Sequence, residues 1–304
     1  MDNFILIAVC MLAGMAMQKA KLLPADAHKG INIWLLYLAL PAVSLKYIPT
    51  IEWSLKMLFP LLSTVIVWAG SALFMAWYVR RKRYGQRSRS TLELSSGYSN
   101  TSFIGFPLII AYFGEKYLSI AIICDQVMFI LLSTAGIITA IRGDRKSGVQ
   151  VEVKMILRKL FTFPPFIGCI SALTLPHIIN LAPMEPLFGK LAGTVAPLAL
   201  FSIGMQLRFN GWAKQRGQLS MVLLYKLILA PLLVLGAAIA TGVWGDVAKI
   251  SIFEASMPTF ITASVLAEQF NLNFRLVNLI IGIGILAGLM STFMWANILQ
   301  YLYS

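Results

Sequence analysis

Seven polar side chains crowd into eight residues of an otherwise apolar stretch: Ser95, Ser96, Tyr98, Ser99, Asn100, Thr101 and Ser102. Gly97 lies among them, and Gly105 and Pro107 follow. Such a segment makes a poor lipid-facing helix. Pro107 lacks an N–H and clashes with the preceding turn, so a kink or unwinding is predicted near 103–106. A second run has the same character: Glu254-Ala255-Ser256-Met257-Pro258-Thr259-Phe260-Ile261-Thr262. Where a helix breaks, the N-terminal end of its second half presents unbonded N–H groups and partial positive charge. Two such ends meeting would favour an anion, a carboxylate, with Asn100 and Thr101 as neutral donors. The expected substrate-binding residues are therefore Ser99, Asn100, Thr101, Pro107, Met257, Pro258 and Thr259. Packing kinks are the competing explanation, since Gly, Pro and Ser are common between membrane helices. Two interrupted spans in corresponding positions argue for a site instead.

Three ionisable residues also fall inside apolar runs: Asp125, Lys226 and Glu254. Burying charge in a membrane is costly, so each is a functional candidate. Asp125 and Glu254 read as carboxylates coupling transport to a proton or a cation, and Lys226 as an anion attractor. The alternative is structural: carboxylates held by backbone and hydroxyl groups, and a lysine snorkelling to the inner face. Helix rise separates Lys226 and Glu254 by about 10 Å in depth, so a direct pair needs both chains to reach.

The elements that must position these residues follow from composition. The chain has 304 residues, 59% apolar and 12% charged, with a mean hydropathy of +0.79. A soluble domain carries about 25% charged residues, so a water-soluble globular protein is excluded. Apolar runs fall at 4–18, 31–48, 57–79, 91–113, 118–141, 163–179, 187–207, 219–244, 247–270 and 276–303. Their length says helix rather than membrane strand, and ten transmembrane helices are predicted. Asn100 lies about 13 Å into the fourth run and Pro258 about 16 Å into the ninth, both near the midplane. The N-terminus carries Asp2 and no basic stretch, and is read as the first span rather than a cleaved signal.

Net charge is +13. Nineteen Lys and Arg lie in loops on one side, including Arg80, Arg81, Lys82, Arg83, Arg87 and Arg89. Five lie in the opposite loops: Lys46, Lys56, Lys116, Lys190 and Lys249. The positive-inside rule puts the first set in the cytoplasm and both termini on the non-cytoplasmic side of the cell membrane. Charge spread over separate loops at one face also argues against nucleic acid. The polar segment 142–160 divides the chain into a five-helix repeat, 1–141, and a second, inverted one, 161–304, within one membrane domain. An odd number of spans per half is the arithmetic of an inverted repeat. Weak internal similarity agrees, with Asn100-Thr101-Ser102-Phe103 falling on Met257-Pro258-Thr259-Phe260.

The run from Gly97 through Asn100-Thr101 to Phe103-Ile104-Gly105-Phe106-Pro107-Leu108 resembles the signature of the auxin efflux carrier family. Glu254 to Pro258, followed by Thr262-Ala263-Ser264 and Ala267-Glu268, is similar to its ninth-span pattern. The resemblance covers essentially the whole chain. It implies two inverted five-helix repeats with the fourth and ninth helices crossing near their prolines, in a fold similar to bile-acid/sodium symporters. It also implies organic-anion transport at that crossover, by an elevator-like movement, often in a homodimer. The short central loop looks like the compact, bacterial-type permeases, whose substrates include malate and malonate.

The expected function is a secondary transporter for a small organic anion embedded in the lipid bilayer. A sodium-coupled symporter and a non-transporting ligand sensor are the alternatives. A membrane enzyme would need clustered carboxylates or histidines, and the sequence has no DDxxD or HExxH arrangement. No cofactor or metal is expected: Cys10, Cys124 and Cys169 sit in apolar runs without CxxC spacing. Gly284 and Gly288 form a GxxxG spacing and read as a helix-packing face.

Overall fold

The computed structural model describes residues 2–144, 153–207 and 215–303. Arg145 and Lys146 of the predicted linker, and Arg208 and Lys214 of a basic loop, lie outside the described residues. In chain order the helices are α1 (Asp2–Lys19), α2 (Ala27–Thr50), α3 (Leu55–Lys82), α4 (Gln86–Gly97), α5 (Thr101–Tyr112) and α6 (Glu115–Gly143). They continue with α7 (Val153–Phe161), α8 (Pro164–Thr174), α9 (Ala182–Gln206) and α10 (Arg216–Thr241). Last come α11 (Asp246–Ala255), α12 (Thr262–Gln269) and α13 (Phe274–Leu302). Among the described residues there is no strand, only one isolated bridge between Ser99 and Thr259. Six helices, α2, α3, α6, α9, α10 and α13, are long and apolar enough to cross a membrane. The fourth and ninth apolar runs are each cut into two shorter helices, α4–α5 and α11–α12.

Three helices contain a wide π turn that ends two residues before a proline: Leu35–Ala39 before Pro41, Thr101–Gly105 before Pro107, and Tyr225–Leu229 before Pro231. The cause is the proline itself. It cannot donate to the carbonyl four residues back and its ring pushes that carbonyl aside, so the preceding turn widens. At Pro231 the displaced acceptor is the carbonyl of Leu227, and the indole Nε1–H of Trp295 donates to it at 2.8 Å. The kink or unwinding expected near 103–106 takes the form of the π turn Thr101–Gly105, and the full break lies further upstream. The chain leaves helical geometry at 98–100, upstream of the proline, and Pro107 lies in the first turn of the α-helix that follows the π turn. A first-turn N–H is surplus, so proline is tolerated there.

The chain divides into two compact units, each drawn from both halves of the sequence. The first comprises 1–53, 102–126 and 158–207. In it α1 and α9 touch backbone to backbone: a Cβ on Gly14 would lie 2.2 Å from the carbonyl oxygen of Phe201, and one on Gly204 2.2 Å from that of Met11. Only glycine permits this approach. Polar side chains in this unit pair across helices, Ser202 with Asn32 at 2.6 Å and Trp34 with Thr194 at 3.0 Å. The second unit comprises 54–101, 127–157 and 208–304. It holds α3, α4, α10, α11 and α13, tied by Ser71 to Ser96 at 2.6 Å and by the Tyr225 hydroxyl donating to the Val67 carbonyl.

Candidate functional site

The two helix breaks meet inside the second unit. After α4 the chain runs extended through Tyr98, Ser99 and Asn100; after α11 it runs through Met257, Pro258 and Thr259. The two stretches lie antiparallel with Ser99 facing Thr259. The Asn100 N–H donates to the Pro258 carbonyl at 2.8 Å, and the Phe260 N–H donates to the Tyr98 carbonyl at 2.9 Å. Each break thus supplies bonding partners for the other, which is the condition for irregular backbone at membrane depth. Pro258 suits its place because that register asks it only to accept.

The crowd of hydroxyls on α4 is explained by its own helix. Thr91, Ser95 and Ser96 each donate to the carbonyl four residues earlier, at 2.7–2.8 Å, so they cost little to bury. The carbonyl of Ser95 also accepts from the Thr259 hydroxyl at 2.6 Å. That clamps the end of α4 to the opposite break. Asn100 and Thr101 are buried at the point where α5 begins.

Lys226 and Glu254 come to the same place from different helices. Lys226 sits in the π turn of α10, is 0% exposed, and donates its ammonium proton to the Ser99 hydroxyl oxygen. Glu254, 2% exposed, lies in the last turn of α11, one turn before Pro258. The snorkelling alternative is therefore corrected: the lysine chain runs to the crossover, not to the inner face. Met257 is fully buried, and its N–H donates to the Glu254 carbonyl at 3.2 Å.

The remaining two candidates belong to the first unit. Pro107 is buried near the start of α5. Asp125, 5% exposed, lies in α6. Sequence reasoning missed three participants. Ser95 supplies the carbonyl that Thr259 binds. Gly288 lies against Pro258: a Cβ there would meet three ring carbons at 3.2–3.3 Å, while Gly284 opposes chiefly Leu223. Trp295 satisfies the carbonyl next to Lys226 in the chain. A signal existed for the last, since Pro231 must free the carbonyl of Leu227.

Comparison with known proteins identifies the family. A 26% identical relative over 230 residues, covering 73% of this chain and 72% of its own, is named an uncharacterized transporter of Methanothermobacter thermautotrophicus. Another from Methanocaldococcus jannaschii, also named an uncharacterized transporter, is 24% identical over 288 residues, 91% of each chain. A Rhizobium meliloti protein named "Putative malonate transporter" is 25% identical over 254 residues, 81% of this chain and 79% of its own. The family model described as membrane transport protein matches residues 1–296. A multi-pass chain of apolar helices matched over nearly its full length in this way belongs to the membrane transport protein family, the permeases of the auxin efflux carrier type.

Proposed function

We propose that the protein is a secondary transporter that moves a small carboxylate across the cell membrane, binding it where the two broken spans cross. The observation that carries this reading is the antiparallel pairing of 98–100 with 258–260, with a buried ammonium bonded to Ser99. A carboxylate entering this space loses its water. Asn100 and Thr101 are neutral donors beside it, and Lys226 is a positive charge able to offset the desolvation. The name of the Rhizobium meliloti relative makes malonate the first substrate to test.

The same reading takes the chain as ten spans in two inverted five-helix repeats, 1–141 and 161–304, assembling as a homodimer. Segment 142–160 lies in the cytoplasm and both termini outside, supported by the lopsided Lys and Arg distribution. Coupling runs through Glu254, with Asp125 as the second carboxylate at membrane depth. The test is counterflow: purified protein in liposomes loaded with malonate should accumulate labelled malonate above protein-free liposomes. A protein whose thermal midpoint rises with malonate but which moves none is a sensor, and the transport reading fails.

A further inference from the structure

We propose that the basic end of α3 carries a binding site for an anionic phospholipid, with the phosphate on Arg80 and Arg81 and an acyl chain in the hollow beside them. The site is separate from the crossover and independent of what the protein carries. Leu73, Ala76, Trp77, Arg80 and Arg81 are spaced i, i+3, i+4, i+7 and i+8, so they form one stripe along the helix. These five residues line an open hollow of about 660 Å³. Leu73 is 74% exposed and Trp77 50% exposed, so the stripe faces away from the protein. Ala76 gives the hollow its depth, being a single methyl group between two large side chains. The stripe is apolar for two turns and cationic in the last, which is the order in which a phospholipid presents its chain and its headgroup.

Charge selects the lipid. Between Glu52 and Glu93 the sequence has no Asp or Glu, while Arg80-Arg81-Lys82-Arg83 places four cations in succession. Among the described residues none of the four forms an ion pair with a carboxylate. A zwitterionic headgroup brings its own ammonium into this field, whereas an anionic one brings only the counter-charge that the arginines lack. The Arg81 guanidinium carbon lies 5.8 Å from the centre of the Trp77 ring, which holds it along the stripe. Trp77 is steadied in turn by Phe74, whose ring stacks on Tyr225 of α10. Arginine at both lining positions suits a phosphate, since its planar fork donates to two oxygens at once. The positive-inside rule and the helix dipole account for cations at this end of α3. Neither requires two arginines to share a hollow with an exposed tryptophan. A free phosphate would leave the wall of Leu73, Ala76 and Trp77 uncovered, so the occupant is a phospholipid.

The test is native mass spectrometry of the whole protein in detergent, titrated with phosphatidylglycerol or with phosphatidylcholine of the same chains. Wild type should bind phosphatidylglycerol at least about tenfold more tightly than phosphatidylcholine. Arg80→Gln/Arg81→Gln should weaken phosphatidylglycerol roughly thirtyfold, each arginine counting for about fivefold, and leave phosphatidylcholine unchanged. Lys82→Gln/Arg83→Gln removes the same charge beside the stripe and should weaken it less than about fivefold. The arginine variant also removes charges that orient the chain in the membrane. Ala76→Trp keeps every charge and fills the hollow, and it should weaken phosphatidylglycerol at least about fivefold through lost chain contacts. A smaller wild-type preference, equal losses in the two double variants, or unimpaired binding by Ala76→Trp overturns the proposal. Displacement of the lipid by an equal concentration of sn-glycerol 1-phosphate, a headgroup without chains, also overturns it, since the site would then hold free anions.

Discussion

Replacing Gly288 by alanine should damage transport more than replacing Gly284, although the two form one GxxxG pair. A methyl group at 288 would lie 3.2 Å from Cγ and Cδ of Pro258 and 3.3 Å from Cβ. Carbon atoms rest about 3.5–4.0 Å apart, so the ring must retreat by a few tenths of an ångström. Overpacking of this kind costs roughly 1–3 kcal/mol, and the Gly-to-Ala gain in helix propensity returns about 1 kcal/mol. Net destabilisation is then about 0–2 kcal/mol. The functional effect should be larger, because Pro258 carries the carbonyl that accepts from the Asn100 N–H at 2.8 Å. Displacing reacting groups by about 1 Å costs on the order of a hundredfold in enzymes, so a shift of a few tenths should cost roughly three- to tenfold in flux. At 284 the nearest atom is Cδ2 of Leu223 at 3.2 Å, the free end of a flexible side chain, and Pro258 is 3.9 Å away. Gly284→Ala should keep its flux and gain up to about 1 kcal/mol of stability. Thermal midpoints and malonate counterflow of both variants are the assay. Equal behaviour of the two, or full flux in Gly288→Ala, refutes the role assigned to the contact with Pro258.

Three further outcomes are expected. Pro231→Ala restores the missing backbone donor, so the π turn should close and swing Lys226 about the helix axis by up to about 100°. The variant should be folded yet lose malonate binding at least tenfold, and retained affinity would show that the π turn does not aim the lysine. Glu254→Gln should flatten the pH dependence of counterflow while malonate still binds, because a protonated carboxylate crosses the field without the charge penalty of an ionised one. A pH profile that keeps its wild-type shape counts against Glu254 as the coupling group. Cysteines at positions 1 and 304 should react with an impermeant reagent in intact cells and one replacing Arg87 should not; labelling at Arg87 overturns the assigned orientation.

The two breaks were legible because proline and clustered hydroxyls in apolar runs admit few explanations. Their exact form was not. Pro107 drew the expected unwinding to 103–106, whereas the chain opens at 98–100, where Tyr98 and Asn100 bond to backbone across the crossover. That pairing depends on residues far apart in sequence, and no local rule reports it. Depth arithmetic along straight helices kept Lys226 and Glu254 apart. It allowed a pair only if both chains reach, and it did not include the turn that Pro231 widens around Lys226. Gly284 and Gly288 were recognisable as a close-packing face, but only the fold discloses that the object packed against Gly288 is the proline of the second break.

The central claim, anion transport at the crossover, is tested most directly by Asn100→Ala measured beside wild type in the same liposomes. A hydrogen bond to a charged group contributes about 1.5–3 kcal/mol, so losing the amide should weaken malonate binding roughly 10- to 150-fold. Counterflow should fall to background at substrate concentrations near the wild-type affinity, while the variant still inserts and purifies as the wild type does. Wild-type affinity and wild-type flux in Asn100→Ala would contradict the account, because the residue at the meeting point of the two breaks would then have no part in holding what the protein moves.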